Sequence, residues 1–150
     1  MTRPTATRDY MLILKALYGL FLFRVLAQYL QSHYSLPFLP KFDAWHSGTI
    51  PYSSLLCLQA FALAIGWRWI NLAKARTPQS TKRKSQLLFC VGLLYLTLNT
   101  SRLLAGCFLY PEHAWFSAHL ATAFHFPIAL FILCFAHIQW SSTSRLGAEL

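Results

Sequence analysis

The sequence predicts an all-α fold, an integral membrane four-helix bundle with short loops and both the N- and C-termini cytoplasmic. Three observations carry that reading. The chain of 150 residues is 56% hydrophobic and only 11% charged, where soluble chains average about 25% charged residues. Four apolar stretches are long enough to cross the ~30 Å hydrocarbon layer, which takes roughly 20 residues in a helix. Basic residues gather in alternate connections between those stretches. A single domain, residues 1–150, accommodates all four spans.

Taken in order, the first span covers about Tyr10–Leu30 and is interrupted by Lys15 and Arg24. It is read as a retained helix, because Arg24 stands directly before Val25-Leu26-Ala27, where a signal-peptide cleavage site disfavours charge. The second span, about Pro51–Leu72, belongs to a stretch free of Asp, Glu, Lys and Arg from Ala44 to Trp67. The third is about Ser85–Tyr110. The fourth, about Ala114–Ile138, lies in a run without those four residue types from His113 to Ser144. Backbone groups left unpaired in hydrocarbon are too costly, so spans of this length are helices, and the lack of alternation excludes strands.

The connections are punctuated. Residues Gln31–Ile50 hold Pro37, Pro40 and the string Asp43-Ala44-Trp45-His46-Ser47-Gly48. In that string Gly48 is expected to turn left-handed and Trp45 to sit at headgroup level. Residues Asn71–Lys84 hold Thr77-Pro78, and Tyr110–His113 is a tight turn.

Orientation follows from the Lys and Arg placement. Arg3 and Arg8 precede the first span, Lys74, Arg76, Lys82, Arg83 and Lys84 fill the middle connection, and Arg145 lies in the tail. Lys41 alone occupies the other two connections. The positive-inside rule therefore places the termini and the middle connection in the cytoplasm. The inner (cytoplasmic) membrane of a bacterium is the expected location. Trp67, Arg68, Trp69 and Trp140 then anchor the inner interface. This loop pattern also explains the net charge of +9 without nucleic acid, whose binders spread basic residues along a solvated face.

Polar side chains within a membrane are costly, which makes them the functional candidates. At 1.5 Å of rise per residue, Arg24 lies about 9 Å inside the outer boundary and Gln59 and Arg102 about 12 Å. His119 lies about 7 Å deep, and Asn99 and His125 about 16 Å, near the midplane. Arg24 and Gln28 share a helix face, as do Asn99 and Arg102, while His119, Thr122 and His125 trace a drifting stripe. The predicted site is an outward-facing polar pocket in which Arg24, Gln28, Gln59, Asn99, Arg102, His119 and His125 bind a ligand. Asp43, His46, Glu112 and His113 are placed in the connections above it.

Several chemistries are excluded. No Asp or Glu falls within an apolar core, so a carboxylate-coupled proton exporter is not encoded. Cys57, Cys90, Cys107 and Cys134 form no Cys-x-x-Cys pair and lie in apolar runs, which removes both a thiol relay and a disulfide scaffold. No zinc-protease motif occurs, and the neighbouring His46 and Ser47 are not a hydrolase geometry. Three readings stay open. The first is a protein binding, or as an enzyme processing, an amphiphilic anion, lipid or quinone-like molecule, with His46 or His119 as the proton carrier. The second is a structural or assembly subunit of a larger membrane complex, partnered by membrane lipid and other subunits. The third is a haem or chlorophyll protein with His119 or His125 as axial ligand. The cofactor is not specified by any motif, and no other metal is expected.

Overall fold

The computed structural model describes residues 4–46, 48–75 and 81–146; Arg3, Ser47, Arg76, Thr77 and Pro78 lie outside them. Every regular element among the described residues is helical. These are α1 (Pro4–Tyr34), α2 (Phe42–Trp45), α3 (Tyr52–Ala75), α4 (Lys82–Phe108), α5 (Ala114–Ser117), α6 (His119–Ala123) and α7 (His125–Leu146). Four segments are long and apolar enough to cross a membrane: Asp9–Tyr34, Tyr52–Ala75, Lys82–Phe108 and His119–Ser142.

The helices overrun their apolar cores, because a hydrogen-bonded ladder does not stop where hydropathy does. Helix α1 continues to Tyr34 and is closed by Ser35 at φ 45°, the left-handed step common after a helix. The Gln31 side chain supplies a terminal acceptor, taking the Leu36 N–H at 2.9 Å. Gly48 has φ 71°, matching its expected left-handed turn.

The fourth span departs from expectation. It is not one helix over 114–138 but three segments, interrupted at Ala118 (φ −71°, ψ 61°) and Phe124 (φ −74°, ψ −4°). The second break has a covalent cause. Pro127 has no N–H and its ring crowds the carbonyl four residues earlier, so an unbroken ladder cannot pass through Ala123. Helix α7 restarts at His125 and carries Pro127 in its first turn, where no N–H is needed.

Helix α7 is the hub, packing against α4, α1 and, more briefly, α3, while α1 also packs against α3. Helices α3 and α4 do not pack along each other. Close approach relies on small residues. A Cβ at Gly92 would touch Leu133 and Ile132 of α7, and one at Gly66 would touch Tyr18 of α1 and Phe131 of α7. At Gly106 it would collide with the Phe116 carbonyl, so this glycine lets the α5 backbone settle on α4.

The bundle has two unlike halves. Toward the ends of α3 and α7, Leu14, Ile70, Ala73, Phe131 and Phe135 form a dry core. Trp69 is stacked there on Phe135 at 4.7 Å and on Phe131 at 6.2 Å. It is therefore a packing residue, not the free interfacial anchor the sequence suggests. The opposite half, roofed by the 35–51 connection and the α4–α6 turn, is polar and hollow. Outside, Leu12, Phe23, Phe61, Leu94 and Leu104 are exposed, the kind of apolar surface that soluble monomers rarely show.

Candidate functional site

The hollow half encloses a cavity of about 380 Å³. Each long helix contributes to its wall. Helix α1 supplies Phe21 and Arg24, α3 supplies Leu58, Gln59 and Ala62, and α4 supplies Tyr95 and Arg102. From α6 and α7 come Ala121, His125 and Ile128, with Phe124 between them. The connections close the top with Trp45, His46 and Trp115.

Arg24 is only 5% exposed, and its Nη2 donates to the Trp45 carbonyl over a long 3.4 Å. Arg102 is better held. Its Nε and Nη2 donate to the Trp115 carbonyl at 3.2 and 2.7 Å, and its guanidinium lies 4.2 Å from the Trp115 ring centroid. Two turns before Arg102 on α4, Tyr95 Oη shares a hydrogen bond of 2.5 Å with His125 Nδ1, joining α4 to α7. Gln59, 4% exposed, donates its Nε2 to Gln28 Oε1 at 3.1 Å. Gln59 Oε1 and Gln28 Nε2 are left buried without a partner, and an unmet amide group costs about 1–3 kcal/mol. Among the described residues, no Asp or Glu lines the cavity. The wall is thus rich in donors and positive charge, suited to an anion or a ligand with strongly accepting oxygens.

Of the residues assigned to the pocket from sequence, Arg24, Gln59, Arg102 and His125 line this cavity. Gln28 does not line it; it is fully buried and accepts the Gln59 amide N–H. Asn99 does not line it, because its amide donates to the Tyr95 carbonyl one turn below at 2.8 Å. His119 does not either. It is exposed and lines a second recess with Asp43, His46, Gly48 and Ser117. The stripe of His119, Thr122 and His125 fails because the helix is interrupted at Phe124, and Thr122 turns its hydroxyl back to the Ala118 carbonyl at 2.9 Å.

His46 borders both recesses, and its Nδ1 is buried without a partner. Glu112 and His113 line a shallow site at the turn instead, and His113 Nδ1 accepts the Trp115 N–H at 3.3 Å. Trp45 corrects another expectation. It is not a headgroup-level anchor but a buried roof, tied by Nε1 to the Pro40 carbonyl at 2.9 Å and packed on Phe124 at 5.5 Å.

Sequence reasoning missed Tyr95. Its signal was present, since Tyr95, Asn99 and Arg102 follow the spacing that puts three side chains on one helix face. As to metals and thiols, no group of three His, Cys, Asp or Glu side chains among the described residues is gathered closely enough to hold an ion. His119 and His125 do not share a recess. Cys57, Cys90, Cys107 and Cys134 are free thiols. Comparison with protein-family models, curated proteins and solved structures finds no match to this chain.

Proposed function

We propose that this is a multi-pass membrane protein whose cavity opens away from the cytoplasm and binds the anionic or strongly accepting head of an amphiphile. A lipid phosphate, a carboxylate or a quinone-type oxygen has the required chemistry. The bacterial inner membrane is the setting we infer. Four apolar helices support the membrane assignment, and the basic middle connection and termini support its orientation.

One observation carries the ligand reading. Two arginines, Arg24 and Arg102, line one cavity that has no Asp or Glu among its described wall residues. Guanidinium stays protonated in proteins, and a buried charge without a counter-charge is costly. A bound anion offsets that cost directly. The cavity volume of about 380 Å³ lies in the range of small-molecule sites. Leu58 lines the cavity yet is 57% exposed, so the wall is open on the α3 side, beside the unpacked seam with α4. That seam offers a route from the lipid. If the head is also processed, His46 is the free proton carrier at the wall, because His125 is engaged by Tyr95.

The test uses the full chain in lipid nanodiscs, titrated with dodecyl phosphate and followed by calorimetry. Arg24→Gln and Arg102→Gln are each expected to weaken binding by about tenfold or more, the loss of roughly 1.4 kcal/mol. Unchanged affinity in both folded variants would overturn the reading. Orientation is checked separately by labelling Lys41→Cys with an impermeant thiol reagent, which reacts from outside intact cells if the assignment holds.

A further inference from the structure

Directly beneath the polar cavity lies a second hollow of about 150 Å³, lined by Leu17, Ile65, Gly66, Trp69, Pro127 and Ile132 among others. It is walled by α1, α3 and α7, and its lining is almost wholly apolar. Phe21, Ala62 and Ile128 belong to both walls, so the two hollows adjoin across those three side chains. By helix rise, Leu17 lies about 10 Å from Arg24 toward the N-terminal end of α1. Polar and apolar compartments thus follow one another along the bundle axis, and Trp69 stands at the apolar end.

We propose that the two hollows are one site for a single-chain amphiphile, with its head at Arg24 and Arg102 and its aliphatic or isoprenoid tail threaded past Ala62 to Trp69. This rests on the reading of the polar cavity given above and adds the class of ligand. The tail hollow, at about 150 Å³, is too small for the paired chains of a membrane phospholipid but adjoins the head site. Gly66 is part of the arrangement. A side chain there would press on Tyr18 and Phe131, both of which line the tail hollow.

The experiment again uses the full chain in nanodiscs. The probes are an alkyl phosphate and an alkyl carboxylate, each with a bromine at the chain end, and the readout is quenching of the tryptophan emission lost in Trp69→Phe. Butyl phosphate, which is too short to reach Trp69, is titrated in parallel by calorimetry to report the head site alone. At least one brominated probe is expected to quench the Trp69 component more than twofold beyond brominated bulk lipid at equal mole fraction. That quenching should vanish in Arg24→Gln, and the probe that shows it identifies the head as phosphate or carboxylate. Leu17→Phe and Ile65→Phe, which fill the tail hollow from different helices and do not line the head cavity, should return quenching to the bulk level while butyl phosphate binding persists. If butyl phosphate binds in an Arg24-dependent way but neither probe quenches Trp69 beyond bulk lipid, the tail lies elsewhere, and this proposal falls while the head reading stands. If no probe shows Arg24-dependent binding, both fall.

Discussion

Arg102 holds Trp115 in two ways at once, lying 4.2 Å from its ring centroid and donating two hydrogen bonds to its carbonyl. The planar guanidinium can stack and fork together, whereas an ammonium cannot. This one side chain therefore fastens the α4–α5 turn over the cavity. Arg102→Lys keeps the charge but loses the fork, and is expected to cost about 1–2 kcal/mol of stability in detergent unfolding. Retention of full stability would show that the fork does not fasten the turn.

The Tyr95–His125 bond is the polar tie between α4 and α7 beside the cavity. A double-mutant cycle with Tyr95→Phe and His125→Ala should give a coupling of about 1 kcal/mol. Additive losses would mean that the two side chains act independently.

The Gln28–Gln59 pair invites a compensation test. Replacing either residue alone with Leu strands the other amide in the bundle, at about 1–3 kcal/mol. Replacing both should recover most of that loss, because two apolar side chains leave nothing unpaired. The double variant is nevertheless expected to bind the amphiphile more weakly, since Gln59 lines the cavity. Thermal unfolding and ligand titration of the same three variants read both effects.

Two glycines predict opposite responses to alanine. Gly106→Ala drives a methyl group into the Phe116 carbonyl, and backbone is slow to yield, so a loss of about 1–3 kcal/mol is expected. Gly19 has nothing within 4 Å of a built Cβ, so Gly19→Ala should be neutral or stabilising by up to about 1 kcal/mol. Melting temperatures of the two variants decide it.

Hydropathy and charge made the four long helices legible, because run length and unbroken apolarity are local properties. The boundaries were less so, since Lys82–Lys84 and Ala73–Ala75 are helical despite being flanking sequence. Arg24 and His125 were visible as costly groups between the outer boundary and the midplane, and both line the cavity. Asn99 and His119 satisfied the same depth argument but not the geometry. One is occupied by its own helix, and the other is swung outward by a break whose only local mark is Pro127. Depth says how far along the axis a residue stands, not which way it faces once a helix is interrupted. Trp45 was misjudged because roofing depends on how a seventeen-residue connection folds back, which no periodicity encodes.

The interruption at Phe124 gives the hub helix a joint at the level of the cavity. Everything below it, the Trp69 stack and the tight contact at Gly92, is anchored on α7. Everything above it, α6 with Phe124 beneath the Trp45 roof, is carried on a five-residue segment. The chamber's ceiling and its packed foundation are thus separate helical pieces of one span, joined where the ladder breaks at Phe124.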